Sequence, residues 1–551
     1  MADIDERGAA QALADWQRWS TIARGRVPSA WAAELRRDPL LTRARVVVDV
    51  IFGREFRVLV SSVDMVCTTK SGEERRVVAG LVGDNEPELN EDLEPGRAEP
   101  AGRSISVTVP GALVRPVELR RRRRPATGFG EVSLAFDGMP WEDRLVFLRG
   151  PCSGALIHGT DDEPVQFTIA DPRIGGAAIP AWVLDTERWE ELPDTSKGQR
   201  VPLVVGVGRV PCLRVRTSTG GGNDDFLVGY GGLTMSGVLV NGVANGGSTT
   251  IETTDGRDLP VTLLRWTGAG AAADFDAVYA RAEEDNASTL GIFGAIRKIL
   301  RSYGRVDPSR ISERLFAEAE SRAGNVGISS GSRTSPIITI NDPVGALEYV
   351  TGTLCEEFPW ISMIWDGPAV GPVVVDHRSR PTAHLVAGQY PLIGRVEGGS
   401  YAWGSTADLV TRVVLRYDYQ PALDVFAGVE YRGERNSDLC AEALRIREEE
   451  NEVQIDAVTI GDQPTAALTA DWIVEHRSRP YVDVMIDVYP AAYLAFRVGD
   501  PVRWTDESAA MDNEEALILG RRLTSGQPEL SIRIWPKLWA GLSGSSFAVT
   551  P

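Results

Sequence analysis

Hydrophobic residues in this chain recur at every second position over short runs, and glycine, asparagine and proline break those runs at close intervals. A period of two places alternate side chains on one face of a strand, so the pattern drives the chain toward packed or curled sheets. The first case is "RVVVDVIFGREFRVLVSS" from Arg45, two β-rich runs around Gly53. They predict a hairpin with Val48, Val50, Phe56 and Val58 available for a core face. "SISVTVP" (104–110), "EVSLAFDGMPWEDRLVFLRG" (131–150) and "EPVQFTIADP" (163–172) continue in the same manner. Residues 200–265 stay β-rich, with the turn signals Asn241-Gly242 and Asp255-Gly256. At 551 residues and 43% hydrophobic, the chain can bury several cores, and the usual ~100–200 residues per domain implies three to five domains.

Helical spacing interrupts the strands at three places. Residues 1–40 read as a helical arm, with Leu13, Trp16 and Trp19 at helical spacing and Trp31 and Leu35 following Pro28. Those tryptophans need a neighbour to cover them. "DNASTLGIFGAIRKILRSYG" (285–304) carries a buried helix face. Asp307-Pro308 and Asp342-Pro343 look like N-caps with proline at the first helical position, and "WISMIWDGPAVGPVVVD" (360–376) is a hairpin with an Asp-Gly turn. Helices are also expected around "DLCAEALRIREEENE" and "PTAALTADWIVEHR", among strands such as "DLVTRVVLRYDYQ" (408–420). The divisions that follow are 1–40, the arm; 41–200, strand-rich; 201–285, β-rich; 286–395, an α/β unit; and 396–551, strand-rich again. The class is α+β, mainly β, and multidomain.

Charge removes one broad class of function. The 77 acidic side chains outnumber the 58 basic ones, for a formal net charge of −19, so the overall field repels phosphate and general affinity for nucleic acid is not expected. Within this acidic chain lies the run Arg120, Arg121, Arg122, Arg123 and Arg124. In an extended segment such a run alternates across both faces, so neither face can be core, and it lacks the interleaved aromatics of single-strand binders. Its complement within the chain is "GDNEPELNEDLEPGRAEP" (83–100), read as a projecting loop carrying Asp84, Glu86, Glu88, Glu91, Asp92 and Glu94. Two readings stand side by side. One is an assembly clamp, within a subunit or across a subunit boundary; the other is a solvated loop with exchanging counter-ions, exposed pairs being worth only ~0–1 kcal/mol.

Catalytic and metal chemistry finds little support. Gly327-Ile328-Ser329-Ser330-Gly331 matches G-x-S-x-G, but a charged helix precedes it and "SRTS" follows, where a nucleophile elbow needs a strand entering and a helix leaving. The four histidines, His158, His377, His384 and His476, show no ligand spacing, and His377 and His384 read as a surface loop around Pro381. "GTDDEP" (159–164) and "GGGNDDF" (220–226) lack the ligand alternation of a calcium loop. No phosphate-binding loop or dinucleotide fingerprint is present, so no cofactor is expected. Two carboxylates placed for glycoside hydrolysis leave no sequence trace. The five cysteines are far apart and read as reduced thiols. No secretory signal or membrane span is read, and synthesis in a cytoplasm is expected.

The stretches "EVSLAFDGMPWEDRLVFLRGPC", "DEPVQFTI", "KGQRVPLVVGVGRVP" (197–211), "DLVTRVVLRYDY" and "AFRVGDPVRWTDE … ALILGRRL" together resemble the baseplate or tail-tip hub proteins of tailed bacteriophages and related gene transfer agents. They cover about half the chain, and the match is one of pattern and element order. The resemblance implies two tail-tube-like β-barrels per subunit, in 41–200 and 396–551, and a homotrimer whose six barrels continue a hexameric tail tube. It implies as partners a distal tail or tail tube protein, the tape measure protein and a tail fibre or spike protein. DNA would pass without specific binding, past an acidic wall that offers phosphate no place to stall. It implies a virion protein with no enzymatic activity. The rival expectations are a tail-associated cell-wall hydrolase and a receptor- or glycan-binding β-protein.

Overall fold

The computed structural model describes residues 26–37, 43–52, 56–81, 89–93, 103–115, 128–154, 162–171, 177–216, 224–241, 243–244, 248–254, 260–266, 278–284, 291–325, 336–389, 401–524 and 527–537. The protein is multidomain and mainly β, with helices concentrated between 291 and 357 and between 438 and 495. Among the described residues no helix is long and apolar enough to cross a membrane.

An eight-stranded sheet is built from residues 45–170. Arg45–Phe52 and Phe56–Ser61 form the expected hairpin, with Val48 opposite Val60 and Val50 opposite Val58. Val48, Val50 and Val58 are buried on the core face. Gly128–Ala135 pairs with the other side of Arg45–Phe52 and leads through Leu145–Gly154 and Val165–Ala170 to Ser104–Val109. All these pairings are antiparallel. The short helix Ser29–Arg37 packs on this sheet through Trp31, which is fully buried edge-on to Phe136 and donates Nε1–H to the Asp143 carbonyl at 2.9 Å. One tryptophan of the arm thus has its cover.

A seven-stranded sheet closes the chain, in the order Ala383–Val386, Pro501–Asp506, Met511–Thr524, Gln527–Trp535, Val482–Asp487 and Tyr401–Trp403. Its seventh strand is Leu89–Asp92, paired antiparallel with Met511–Thr524 so that Glu91 lies opposite Arg521. This corrects the reading of a projecting loop for 89–93, the part of 83–100 that lies within the described residues. Leu89 is 2% exposed and Leu93 7%, and burying those two side chains between acids outweighs the polar composition of the segment. The eight- and seven-stranded sheets share one apolar cluster, from Val46 and Phe167 to Ile486 and Ile532. Neither strand path returns to its own start among the described residues.

Residues 207–284 form two four-stranded sheets with apolar clusters of their own. Val240 pairs with Val243 across the Asn241-Gly242 turn, where Asn241 takes φ +48. The helices of 292–357 cover the hairpin Ile361–Asp366/Ala369–Val374, and their cluster runs on into Val410, Leu415, Trp472 and Trp535. Packing is therefore continuous from the 286–395 segment into 396–551. Asp307 caps a single turn, Pro308–Arg310, accepting from Ser309 N–H at 2.8 Å, while the long helix starts at Glu313. Asp342-Pro343 is not a cap. Val344 and Gly345 pair with Ala178 and Ile179, which delays the helix to Ala346.

Gly367 seats the Asp-Gly turn of the hairpin on the first sheet. Its φ is +58, and a Cβ there would stand 2.7 Å from the Val146 carbonyl oxygen. The left-handed conformation and the close approach both require glycine. Gly367→Ala is expected to lower stability by about 1–3 kcal/mol, read as an earlier urea midpoint in tryptophan fluorescence; an unchanged midpoint would show that the hairpin does not bear on the first sheet.

Candidate functional site

The proposed clamp residues divide. Arg120, Arg121, Arg122, Arg123, Arg124, Asp84, Glu86, Glu88 and Glu94 lie outside the described residues, as do His158 and the Gly327–Gly331 match. Glu91 is described, and it is committed inside the subunit. It accepts from Arg521 through Nε at 3.1 Å and through Nη2, and Arg103 Nη1 stands 3.6 Å away. Arg521 in turn donates to the carbonyls of Tyr493 and Phe496 at 3.0 and 2.7 Å. Arg103 bonds Asp171 and the Gly367 carbonyl. Glu91 therefore fastens the early segment to the terminal sheet and is not available to the arginine run. Asp92 lies in the same strand, opposite Gly520.

These groups border a junction where four parts of the chain meet: the segment entering Ser29–Arg37, the first sheet, the 361–374 hairpin and the terminal sheet. At its base sits Asp500, with no exposed surface. Its carboxylate accepts from Arg26 through both terminal nitrogens, from Arg322 Nη2 and from the Arg497 N–H at 2.9 Å. Burial alone would raise its pKa, but the two guanidinium groups hold it far below the ordinary carboxylate range. Arg497 is paired with Glu318 at 2.8 Å. Burial, followed by the nearby Arg314 charge, pulls its pKa down to about 10. Arg314 pairs with Asp366 at the rim. Between these pairs opens a cleft of about 570 Å³.

A second buried polar group was not visible in sequence. His377 and His476 are 1% and 5% exposed, and their rings meet with Nδ1 of the first 3.0 Å from Nε2 of the second. His476 lies in the helix Gln463–Arg477, so its Nδ1–H donates to the Trp472 carbonyl one turn back, at 3.0 Å. That fixes Nε2 as acceptor, so His377 donates from Nδ1 and accepts at Nε2 from Arg479, 3.3 Å away. Arg479 passes the chain on to Glu515 at 3.1 Å. Each ring stacks on an indole, His377 on Trp535 at 4.1 Å and His476 on Trp472 at 4.0 Å. The surface loop expected around His377 is thus a buried polar seam, while His384 is exposed on the strand Ala383–Val386, its Nε2 2.8 Å from Thr505 Oγ1.

Asp376 completes a group whose ligand atoms lie within 4.8 Å of one another. A metal ion does not fit it. Both imidazole lone pairs are already taken, and Asp376 holds Arg378 through three bonds of 2.9 to 3.0 Å. A cation would also face the charges of Arg378 and Arg479. Among the thiols, burial pushes Cys67 up to about 11 and Cys152 and Cys212 to about 12, which disfavours their thiolate forms at neutral pH.

One surface has the chemistry of protein association. Val425–Arg432 is the edge of a three-stranded sheet with Arg412–Gln420 and Glu452–Asp456. The helix Gln463–Arg477 covers one face of that sheet. On the other, Val425, Val429 and Tyr431 are exposed at 47, 58 and 38%. An edge with a row of exposed apolar side chains is suited to receive another strand.

Two stability predictions follow from these groups. Asp500→Asn leaves Arg26 and Arg322 facing no buried charge and is expected to cost about 3–5 kcal/mol in chemical denaturation; a loss below 1 kcal/mol would remove Asp500 from its central place. Burial holds His476 neutral down to about pH 3, and His377 well below its ordinary value. Unfolded histidines take up protons near pH 6.5, so below that pH the unfolded chain binds more protons and these two groups lose stability for the fold as pH falls. Glu357, raised to about 7 by burial, works the other way between its ordinary value and pH 7. The histidine share is isolated by difference: His476→Gln is expected to flatten the dependence between pH 6 and 4 by about 1.4 kcal/mol per pH unit, followed through the fluorescence of Trp472 and Trp535.

No protein-family model matches the sequence, and no curated protein matches it. Solved structures similar to it are phage tail proteins. The 43 kDa tail protein of prophage MuSo2 from Shewanella oneidensis is 9% identical over 89% of this chain and 98% of that one, with a TM-score of 0.36. Prophage tail protein gp18 from Listeria monocytogenes EGD-e is 10% identical over 56% of this chain and 84% of its own, at 0.27. A chain of the p2 virion baseplate in its activated conformation is 10% identical over 61% and 89%, at 0.19.

Proposed function

We propose that this chain is a structural protein of a phage tail, the hub at its distal end. Three copies form a ring, each contributing two tube-like barrels, one based on the eight-stranded sheet and one on the seven-stranded sheet. The observation that most supports this reading is the single apolar cluster those two sheets share, although they come from opposite ends of the chain. Two sheets fixed rigidly side by side are what a subunit needs if it is to occupy two of six positions around a tube. The ring joins the tail tube protein on one side to a fibre or spike protein on the other. The tape measure protein and then DNA pass through its middle.

The charge of −19 suits such a passage. A negatively lined bore gives the duplex no phosphate-binding minimum, so DNA moves through without being held. The protein carries out no bond-breaking chemistry in this role, and purified protein is expected to leave peptidoglycan uncleared in a gel assay. Subunits and partners meet at exposed surfaces of the kind found at Val425–Arg432.

The clamp belongs to the same reading, with Arg120–Arg124 of one subunit meeting the acids Asp84, Glu86, Glu88 and Glu94 of the next. Reversing the charge of Arg121 to Arg124 is expected to lower the trimer fraction in native mass spectrometry while the monomer keeps its circular dichroism. An unaltered oligomer would refute the clamp. For the hub itself, negative-stain images of the protein, alone and with its tail tube protein, are expected to show threefold rings with a DNA-wide opening. Particles with no central opening in both preparations would overturn it.

A further inference from the structure

A strand at the edge of a sheet pairs with foreign strands unless charge or cover blunts it, and this chain blunts two of its edges. Opposite Val425–Arg432 in the same sheet, Glu452–Asp456 exposes Glu452, Gln454 and Asp456, and the two acids pair with Arg412 and Arg416. At the end of the eight-stranded sheet, Met65–Thr68 is covered by the turn that follows Ala135. Thr68 N–H donates to the Met139 carbonyl at 3.1 Å, and Gly138 N–H to the Val66 carbonyl at 2.7 Å. Val425–Arg432 is treated differently. Among the described residues it pairs with another strand on one side only, it contains no proline or lysine, and Val425, Ala427, Val429 and Tyr431 are exposed.

The open edge has a backbone phase and a charge. The Tyr431 carbonyl accepts from Asn436 Nδ2 at 2.9 Å, outside the ladder. Residues of an antiparallel pair alternate between facing the partner strand and facing away, so Val429 turns its N–H and C=O outward as well. A strand added there, about 4.8 Å away, meets Val429 and Tyr431 on the open face. On the face under the helix Gln463–Arg477 it meets Glu430 and Asp471. These two carboxylates share one guanidinium, Arg432, through Nη1 and Nε at 2.6 Å each, and Asp471 is half exposed. Gln463 also donates to Glu430, at 3.2 Å, but adds no charge. Two acids against one cation leave this side negative, in a chain of net charge −19. A second copy of the same edge sets these acids beside their own kind, whereas basic side chains pair with them.

We propose that Val425–Arg432 receives an extended segment of a different chain as a fourth strand of its sheet. That segment alternates apolar side chains, set beside Val429 and Tyr431, with lysine or arginine set beside Glu430 and Asp471. Main-chain hydrogen bonds along the edge supply the hold, and the alternating side chains supply the choice of partner. The inference rests on the reading of Val425–Arg432 as a surface of association and gives the chemistry of what it binds; it does not depend on the ring.

Fluorescent peptides of eight residues, the length of the edge strand, test this by anisotropy against the full chain at about 0.15 M salt. The probe alternates valine with lysine. One control has glutamate in place of lysine, and the other keeps the lysines but carries a central proline, which bars it from a sheet. The probe is expected to bind roughly tenfold more tightly than either control. Val429→Pro takes away an outward N–H and is expected to lose that binding with unchanged circular dichroism, since proline is tolerated where an edge N–H faces solvent. Asp471→Asn leaves the strand intact and is expected to narrow the preference for lysine over glutamate to about threefold. Equal binding of the probe and its proline control, or equal binding by the natural chain and a folded Val429→Pro, would overturn the added strand. Equal binding of the lysine and glutamate peptides would overturn the basic partner. Self-association or rings that Val429→Pro abolishes would assign the edge to a neighbouring copy and also overturn the proposal. Rings missing from the natural chain count against the hub reading alone, so the two failures are told apart.

Discussion

A carboxylate with no contact with water holds the parts of this protein in register. Asp500 receives Arg26 from the entry segment and Arg322 from the helix Glu313–Asn325, groups 474 and 178 residues away from it along the sequence. A buried charge is costly unless paired, so the pairing works as a condition: any arrangement that separates the three segments leaves a bare charge in a dry place. The apolar clusters supply most of the attraction between sheets, but they are tolerant of small displacements. The ion pairs at the junction are not, and they convert loose burial into one arrangement. Glu91 repeats the device nearby, with Arg521 and Arg103.

Much of the local structure is legible in the sequence. The Arg45–Ser61 hairpin follows from alternation around Gly53, the 361–374 hairpin from Asp366-Gly367, and the helix Gln463–Arg477 from the run "PTAALTADWIVEHR", to which the structure adds the Asp462 cap that accepts from Thr465 N–H at 2.9 Å. What is not legible depends on partners far away. Leu89–Asp92 has no strand pattern, and it becomes a strand because Met511–Thr524 presents an edge to it. His377 and His476 are 99 residues apart. Their only local signal is company: each follows an apolar run, "VVVD" and "DWIVE", which favours burial over a surface loop. Asp500 is one acid among 77, and nothing in its neighbours marks it.

The same limit governs function. Composition argues against nucleic-acid binding, and the histidine seam, once its hydrogen bonds are traced, leaves no lone pair for a metal. Surfaces for association are harder to read, because an exposed valine row such as Val425 and Val429 is identical in sequence to the outer half of a buried strand. Only the covering of the opposite face by the helix Gln463–Arg477 shows which side is left open.

The strand Leu89–Asp92 has a consequence for how the molecule is made. Its partner, Met511–Thr524, leaves the ribosome more than four hundred residues later, and Arg26 waits longer still for Asp500. Such distant pairings are slow to close. Until translation is nearly finished, the early sheet exists with an acidic tether that has no berth. A growing polypeptide therefore cannot complete the terminal sheet or pair the buried Asp500 until almost all of it has been made.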